Sequence, residues 1–208
     1  YANIKGITFS LTKRKLPDDL FGASLDYTFQ VAEGNETGAS SFFLDLSSGR
    51  QSEKIPVPLD WDQTHTLNGS LTFGNYKDWV VTIVGTMNTG LPYTPILFER
   101  EIYLKTNSER KPPQTNVDLL IEKTINFDVA AVTLFVKIFN LFDTLNERFV
   151  YDDTGRATYT LESTKGGPQE TNRLSQLVPG IKSADEYFTR PQYYSAPREV
   201  RVGLSIEY

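Results

Sequence analysis

The chain lacks several residues that common enzyme and metal sites require. Its 208 residues include no cysteine, which excludes disulfide frameworks, thiolate metal sites and cysteine nucleophiles. The only histidine, His65, stands between Thr64 and Thr66 at the start of a strand-like segment. A Ser-His-Asp arrangement or a barrel lipase site would need it as the base, whereas a solvated histidine at a strand end is the simpler interpretation. We therefore predict no enzymatic activity, no catalytic residue and no cofactor.

Other binding signatures are missing as well. No glycine-rich phosphate loop occurs in the sequence. The run Asp152-Asp153-Thr154-Gly155 lacks the ligand spacing of a calcium loop, so it predicts the turn of a small hairpin rather than a metal site. The net charge of −5 and the sequence pI near 5.0 argue against nucleic acid as a partner.

Long hydrophobic runs are absent too. A membrane-spanning helix needs about 18 or more apolar residues in succession. The closest stretch, residues 129–142, is shorter and is interrupted by Thr133, Lys137 and Asn140. Membrane β-barrels remain compatible with the mean hydropathy of −0.35, because each barrel strand needs only about 10 alternating residues.

Alternation of apolar and polar residues is the main positive signal. In the last ten residues, Val200, Val202, Leu204 and Ile206 fall on one parity while polar residues and Gly203 fall on the other. This period of two is typical of a strand with one apolar and one polar face. Seven such segments are predicted along the chain, at residues 6–14, 20–31, 66–73, 79–87, 116–124, 129–139 and 199–208.

Short and long connections alternate between these segments. The short ones, at residues 15–19, 74–78 and 126–128, are rich in Asp, Asn, Gly and Pro. The long ones span residues 33–63, 88–115 and 143–197, and structureless loops of this size are unusual in compact soluble domains. An outer-membrane barrel has this arrangement, with short turns on one side and long outer loops on the other. We predict an all-β, antiparallel transmembrane β-barrel.

Aromatic and polar residues fit the same prediction. Aromatic residues near the short turns are expected to form one interfacial girdle: Phe21, Phe73, Tyr76, Trp79, Phe127 and Tyr208. A second belt is expected from Tyr93, Phe139 and Phe142, although ordinary strand composition could also account for these aromatics. A polar set is expected to face a hydrated lumen: Asp26, Gln30, Asn68, Asp118, Glu122, Lys137, Arg201 and Glu207.

Four segments resemble the C-terminal end of TonB-dependent outer-membrane receptors. Residues 135–146, "FVKIFNLFDTLN", are similar to that family's NLFD segment near the end of the penultimate strand. Residues 196–208, "APREVRVGLSIEY", resemble its final strand, which ends on an aromatic residue. Residues 86–95 and 112–124 are similar to its "sGlPytp" loop start and its "vDlrl.K" strand.

The resemblance implies a receptor in the outer membrane of a Gram-negative bacterium. Its barrel would have 22 strands, filled by a plug and energised by the TonB complex, and it would import a siderophore, oligosaccharide, peptide or similar scarce nutrient. Residues 1–208 would form the C-terminal segment of the barrel domain, with about seven strands, because seven strands cannot close an even-numbered antiparallel barrel. The expected partners are membrane lipid, the rest of the barrel and plug, the TonB complex, the barrel-assembly machinery and a surface lipoprotein.

Two sets of candidate site residues follow. Arg201, Gly203, Ile206 and Tyr208 resemble the signal by which the barrel-assembly machinery recognises a last strand. Ligand contacts are expected from aromatic residues of the outer loops, where aromatic side chains are common binding groups. These candidates are Trp61, Tyr93, Phe98, Tyr103, Tyr193 and Tyr194, although packing of the loops on themselves would also use them.

Three alternatives stay open at the level of sequence. A barrel without transport, such as an adhesin or an assembly anchor, would have the same strands. A soluble β-sandwich binding module would bury the apolar faces beneath a second layer of protein. A barrel hydrolase would depend on His65.

Overall fold

The computed structural model describes most of the chain. Its described residues are 1–16, 19–35, 47, 55–75, 77–97, 102–103, 105–165, 173–174, 176–180 and 182–208. Seven long strands dominate them: β1 Ala2–Lys13, β2 Phe21–Gly34, β4 His65–Asn75, β5 Trp79–Asn88, β10 Gln114–Asn126, β11 Ala131–Phe139 and β12 Glu199–Glu207. Five strands of two residues lie in the connections: β3 Val57–Pro58, β6 Pro92–Tyr93, β7 Ile96–Leu97, β8 Ile102–Tyr103 and β9 Glu109–Arg110. Two short helices, α1 Glu162–Lys165 and α2 Ala184–Phe188, and a 3₁₀ turn at Pro191–Tyr193 complete the elements.

The long strands form one antiparallel sheet in the order β1-β2-β4-β5-β10-β11-β12, with β3 added beside the end of β2. Each long strand therefore pairs with the next long strand of the chain. The pairs β6–β9 and β7–β8 form two small separate sheets. This confirms the prediction of an all-β antiparallel fold. The described sheet is open, with β1 at one edge and β12 at the other.

The register places all the apolar alternating positions on one face, which we call the apolar face. Across the first strands, Leu11 pairs with Leu25 and Leu71 pairs with Ile83. Across the last strands the series continues in the same way: Leu119 with Ile138, Val136 with Val202 and Leu134 with Leu204. Since side chains of directly paired residues point to the same side of a sheet, the apolar face runs unbroken from β1 to β12.

No described part of the chain covers the apolar face at its edges. Ile7 exposes 74% of its surface, Val202 75% and Leu204 61%. The buried apolar side chains of the described residues lie mainly in and around the long connections: Ala32, Val57, Leu59, Val80, Val150, Ala157 and Leu174. The hydrophobic core of the described chain is therefore at the loop end of the sheet and not beneath the sheet.

The opposite face, called here the polar face, carries the predicted polar set. Asp26 pairs with Asn68, and Lys137 pairs with Arg201. Hydroxyl groups on neighbouring strands form hydrogen bonds along it: Thr8 with Thr28 (3.2 Å), Ser24 with Ser70 (2.7 Å), Thr72 with Thr82 (3.2 Å) and Thr124 with Thr133 (3.0 Å). Such cross-strand pairs satisfy polar groups that would otherwise need water.

Aromatic residues divide between the two faces. Phe21 and Phe73 meet on the apolar face beside the short turns, with ring centroids 6.2 Å apart. The prediction that Phe139 belongs to an outer aromatic belt is wrong, because Phe139 pairs with Glu199 and so lies on the polar face. The physical reason is parity: the apolar positions of β11 are the even-numbered ones, and Phe139 is odd.

Rows of paired residues run obliquely across the sheet. One row begins at Lys13, at the turn end of β1, and passes through Ala23, Leu71, Ile83, Leu119 and Ile138. It ends at Val200, at the loop end of β12. The turn ends thus shift by roughly seven residues over six strand pairs, which at ~3.4 Å per residue and ~4.8 Å between strands inclines the strands by about 40°.

The connections also differ between the two ends of the sheet. Adjacent strands are joined at one end by residues 14–20, 76–78 and 127–130, and at the other by residues 35–64, 89–113 and 140–198. We call these the turn end and the loop end. Among the described residues there is no helix long and apolar enough to cross a membrane.

Gly203 and Gly85 provide a matched test of strand packing. A Cβ atom at Gly203 would lie 2.9 Å from Cε1 of the Phe135 ring, which lies across the glycine on the polar face, whereas a Cβ atom at Gly85 would meet nothing within 4 Å. We expect Gly203→Ala to destabilise the sheet by about 1–3 kcal/mol, because the ring must move, and Gly85→Ala to be neutral or slightly stabilising.

Thermal unfolding of the full-length protein in detergent measures both effects. The double variant Gly203→Ala/Phe135→Leu should recover most of the loss, because leucine removes the ring. Equal melting temperatures for the two single variants would contradict this packing.

Candidate functional site

The three long connections meet at the loop end and are joined there by buried polar contacts. The first junction centres on Asp62, which exposes 1% of its surface. Asp62 accepts a hydrogen bond from the Ala32 N–H (2.7 Å) and forms an ion pair with Arg110. Arg110 also donates to the Asp62 carbonyl oxygen (2.9 Å). A buried carboxylate needs such partners, and here they connect the first long connection to the second.

Asn107 makes a second bridge between the same two connections. Its side-chain amide donates to the Pro58 carbonyl and to Asp60 Oδ1, each at 2.8 Å, and its N–H donates to Thr94 Oγ1 (3.0 Å). Its φ of 54° lies in the left-handed region, which asparagine tolerates better than most residues. The residue type thus fits both the backbone and the contacts.

The segment "NLFDTLN" joins the last strands at the loop end. Asn140 and Asp143 both have positive φ (53° and 54°), so the chain leaves β11 in a tight turn. The Asn140 N–H donates to Asp118 Oδ1 (2.9 Å) on β10, and its side-chain amide donates to the carbonyl oxygens of Thr144 and Ala196 (3.1 Å each). Asp143 Oδ1 accepts the Arg198 N–H (2.8 Å) just before β12.

Asn146 completes this junction by acting as a substitute for backbone. Its Oδ1 accepts the Thr115 N–H (2.9 Å), and its Nδ2 donates to the Thr115 carbonyl (2.8 Å). The two bonds copy the exchange between paired residues of adjacent strands. The Asn and Asp residues of this segment therefore have a structural role, holding the ends of β10, β11 and β12 together.

A polar recess of about 260 Å³ lies beside this junction, where the polar face meets the loops. Asn116 and Asp118 contribute from β10, and Glu199 contributes from β12. Asn116 Nδ2 donates to Asp118 Oδ1 (2.8 Å), so part of its hydrogen-bonding capacity is already used. The lining combines these amide and carboxylate groups with the apolar side chains of Phe139, Ala196 and Pro197, and Glu199 is already paired with Arg201.

Glu147 anchors the turn that follows. It is buried, and Arg156 donates to both of its carboxylate oxygens, at 3.0 Å and 3.3 Å from Nε, while the Ala157 N–H donates as well. Burial alone would raise the pKa of Glu147, but the hydrogen bonds from Arg156 and Ala157 outweigh it and lower the pKa below the ordinary value of 4.5. The sequence alone gave no signal for this ion pair.

The predicted turn at residues 152–155 is present, but the described residues on either side of it form no paired strands, so the prediction of a small hairpin is wrong. Gly155 N–H donates to the Tyr151 carbonyl (2.8 Å), and the Tyr151 N–H donates to the Arg156 carbonyl (3.0 Å). Gly155 has a φ of 66°, and a Cβ atom there would lie 3.0 Å from Cζ of Tyr93. Tyr93, a predicted ligand contact, therefore packs on this turn.

Aromatic side chains of the last long connection form a cluster, which we call the loop aromatic cluster. Tyr151 is at its centre, with its ring centroid 5.2 Å from that of Tyr193 and 6.5 Å from that of Phe188. Phe149 lies 5.9 Å from Tyr193, and Tyr187 lies 5.0 Å from Phe188. The Tyr151 hydroxyl donates to the Phe188 carbonyl, and burial raises its pKa, so it stays a neutral donor.

Two cations border the loop aromatic cluster. Lys111 Nζ lies 5.7 Å from the Phe149 ring centroid, and the Arg190 guanidinium lies 5.3 Å from that of Tyr187. Phe149 itself is 56% exposed. The cluster thus presents an exposed ring and nearby positive charge, an arrangement suited to stacking on a ligand.

The structure brings together only some of the predicted ligand contacts. Tyr193 belongs to the loop aromatic cluster, and Tyr194 pairs with Glu147 in an isolated bridge. Trp61 lies in the turn before β4 and exposes 48% of its surface. Phe98 and the side chain of Tyr103 lie outside the described residues. Phe149, Tyr151 and Phe188 were not among the predicted residues, although they lie in one cluster with Tyr193; their only signal in the sequence was the spacing of aromatics around a turn.

The assembly-signal residues are spread over both faces of β12. Ile206 lies on the apolar face and Gly203 on the polar face, and Tyr208 follows the strand and is fully exposed. Arg201 pairs with Glu199 on the polar face, and its guanidinium lies 4.9 Å from the Phe139 ring centroid. These contacts lie within the chain, and they carry no information about recognition by the barrel-assembly machinery.

His65 lies at the exposed start of β4. Its Nδ1 is 2.8 Å from the Tyr27 hydroxyl, and its ring lies 5.4 Å from that of Phe29. The side-chain contacts that the structure describes for His65 include no serine and no acid. Within the described ranges, no group of three or more His, Cys, Asp or Glu residues could hold a metal ion.

Acidification should weaken the hydrogen bonds that Glu147 accepts from Arg156 and Ala157. The lowered pKa means that the carboxylate stabilises the fold above about pH 4.5, and that this contribution is lost as the pH falls through the lower folded value. We expect Glu147→Gln to speed amide exchange of residues 147–157 roughly tenfold at neutral pH, since a hydrogen bond to a charged group contributes ~1.5–3 kcal/mol.

Hydrogen–deuterium exchange of the full-length protein at pH 7 and pH 3.5 measures the change. At pH 3.5 the amide exchange rates of the wild type should approach those of the Glu147→Gln variant. After correction for the intrinsic effect of pH on exchange, the rates of the variant should change little between the two pH values. Glu109→Gln, which alters an exposed acid in the second long connection, is the control. Equal protection in both variants would refute the role of Glu147.

The loop end thus combines a polar recess with a partly exposed aromatic cluster, both held by buried ion pairs and Asn side chains. Comparison with family models, curated proteins and solved structures found no match.

Proposed function

We propose that the chain is the C-terminal part of the barrel of a TonB-dependent outer-membrane receptor that imports a scarce nutrient. The observation that carries the proposal is the two-faced sheet: seven long strands share one exposed apolar face and one polar face. In water such a face is unfavourable at ~25 cal/mol per Å² of apolar surface. Exposure of the apolar face to lipid carries no such cost. The polar face would then border a hydrated lumen.

The extent of the apolar face separates this proposal from a soluble sandwich. Soluble proteins rarely expose contiguous apolar patches larger than a few hundred Å². Ile7 and Phe9 on β1 and Leu204 and Ile206 on β12, at opposite edges of the sheet, are all more than half exposed. A sandwich would need a second layer over these side chains, and the described residues supply none.

The inclination of the strands also supports a barrel. Closed barrels require strands tilted by about 35–45° with a progressive shift in register. The shift from Lys13 to Val200 corresponds to about 40°, within that range. A shift of constant direction across six strand pairs is what a cylindrical wall needs.

The edges and connections fit the same interpretation. Within the described chain β1 and β12 each have one long neighbour, and in a closed barrel further strands would pair with both. Short turns at one end and long, mutually packed connections at the other are the arrangement of outer-membrane barrels. The loops would then face the cell exterior.

Transport and its coupling to TonB are supported by the resemblance of residues 86–95, 112–124, 135–146 and 196–208 to that receptor family. The polar face would contact the plug, and the loop aromatic cluster and polar recess would receive the ligand. A barrel without transport is the second candidate, favoured by the structural role of the "NLFD" segment, which needs no ligand.

Cysteine labelling tests the proposed topology, because the chain has no cysteine of its own. Val129→Cys probes the turn end, Tyr159→Cys the loop end and Val202→Cys the apolar face, and all three positions are more than half exposed. In intact cells we expect a membrane-impermeant maleimide to label position 159 only. After the outer membrane is opened, position 129 should react too.

Position 202 should react only after denaturation, because lipid shields it. Complete labelling of position 202 in folded protein would contradict the barrel and favour a soluble protein. Recovery of the protein in the soluble fraction would have the same meaning.

Uptake by cells separates the receptor from a non-transporting barrel. Cells producing the full-length protein are offered a panel of labelled ferric siderophores, cobalamin, peptides and oligosaccharides. We expect one member to accumulate, with accumulation lost and surface binding retained when TonB is inactivated. Binding without accumulation in TonB-active cells would favour the non-transporting barrel.

Phe149→Ala should weaken binding of that ligand about three- to tenfold, since an aromatic contact contributes ~0.5–1.5 kcal/mol. The control is Phe142→Ala, which removes a 71% exposed ring of the same connection outside the loop aromatic cluster. Equal losses in the two variants would remove the cluster from the binding site.

A further inference from the structure

Lys123 occupies an unusual position on the apolar face, near the turn end. It pairs directly with Trp79 on β5 and with Leu134 on β11, so all three side chains point to the same side. Its neighbours along β10 on that face are Ile121 and Ile125. Lys123 is exposed, and it makes no hydrogen bond or ion pair with any residue that the structure describes. The described part of the chain therefore supplies no counterion for this charged group.

Trp79 is held beside this lysine. A Cβ atom at Gly74 would lie 2.7 Å from Cε3 of the indole, and Gly74 has a φ of 110°, so a glycine is needed for the ring to pack there. Trp79 is 42% exposed, and its indole N–H has no acceptor among the described residues. Trp79 thus offers a donor next to the Lys123 ammonium.

Lys77 is a second cation close to Trp79 in the chain, two residues before it. It lies in the turn between β4 and β5, and this turn is fixed to the end of β10: Asn126 Nδ2 donates to the Lys77 carbonyl (3.2 Å), and the Thr124 N–H donates to the Asp78 carbonyl (2.7 Å). The Asp78 carboxylate accepts from the Asn75 amide (3.3 Å). The Lys77 ammonium has no partner in the described chain.

Lys13 shows that an unpaired lysine is not the rule at this end of the apolar face. It also lies on the apolar face beside a short turn, but its ammonium donates to Asp19 and to the Phe21 carbonyl, at 2.9 Å each. Lys13 is therefore satisfied within the protein. Among the residues that the structure describes, the positive charges of Lys77 and Lys123 have no such partner.

We propose that Lys77, Trp79 and Lys123 form a binding site for the phosphate of an anionic phospholipid. The inference rests on the proposed membrane location. Lys77 and Lys123 would contact the phosphate oxygens, and the indole N–H would donate to the phosphate or an adjacent ester. An acyl chain would lie on Ile121 and Leu134. A free phosphate would lack this apolar contact, and a zwitterionic headgroup carries its own cation, which competes with the lysines.

The energetic expectation is modest and measurable. A lysine near an anionic membrane surface contributes ~1 kcal/mol, or about a fivefold preference for anionic over neutral lipid. Loss of both lysines should therefore reduce the enrichment of anionic lipid around the site by roughly 25-fold at most.

The test uses the full-length protein reconstituted in nanodiscs of phosphatidylcholine with or without phosphatidylglycerol, with thermal unfolding and quantification of co-purified phospholipid as the readouts. We expect phosphatidylglycerol to raise the melting temperature of wild type and to co-purify with it. Lys77→Gln/Lys123→Gln should lose both effects, and Trp79→Phe should lose part. Lys13→Gln should behave as wild type towards phosphatidylglycerol.

Inorganic phosphate added to protein in neutral detergent separates the two sources of phosphate and should leave the melting temperature unchanged. Stabilisation by free phosphate that depends on the two lysines would overturn the lipid assignment. Equal losses in Lys13→Gln and the double variant, or retention of the phosphatidylglycerol effect in the double variant, would overturn the site. A protein that is absent from the membrane fraction would instead overturn the proposed function.

Discussion

The side-chain alternation of β-strands is the constraint on which this structure depends. Successive residues of a strand point to opposite faces of the sheet. The observed register therefore places the alternating apolar residues of all seven long strands on the same face. A slip of one residue in any pair would put polar groups among apolar ones. The continuous apolar face from Leu11 to Leu204 therefore requires that all six long pairings be correct together.

The loop end is subject to a different constraint. The backbone N–H and C=O groups of the long connections need hydrogen-bonding partners there, and pairing with a neighbouring strand does not supply them. Asn140 and Asn146 supply amide groups in place of a neighbouring strand, and Asp143 accepts the N–H that precedes β12. The buried carboxylates of Asp62 and Glu147 pair with the partly exposed side chains of Arg110 and Arg156. The segment that resembles a receptor signature is thus explained first as a structural junction.

The two ends of the sheet have different relations to their surroundings. At the loop end, Asp62, Asn107 and Glu147 have hydrogen-bonding partners within the protein, and aromatic rings and a recess remain open to a ligand. At the turn end, the Trp79 indole N–H and the Lys123 ammonium lie at the border of the apolar face without hydrogen-bonding partners among the described residues. In the proposed function, this difference corresponds to an outer end that binds solutes and an inner end that binds lipid headgroups.

The strands and the two faces could be predicted from the order of residues alone, since the alternation of apolar and polar residues is a local property. The short turns and the turn at residues 152–155 could be predicted in the same way, because Asp, Asn and Gly prefer such backbone. Which distant residues meet could not be predicted, because it depends on strand register and on how the loops pack. The pairing of Asp62 with Arg110, the contact of Tyr193 with Tyr151 and the position of Lys123 beside Trp79 follow from register and loop packing. The placement of Phe139 on the polar face also follows from the register, because the single parity that β11 obeys along its whole length overrides a residue type that favours an interface.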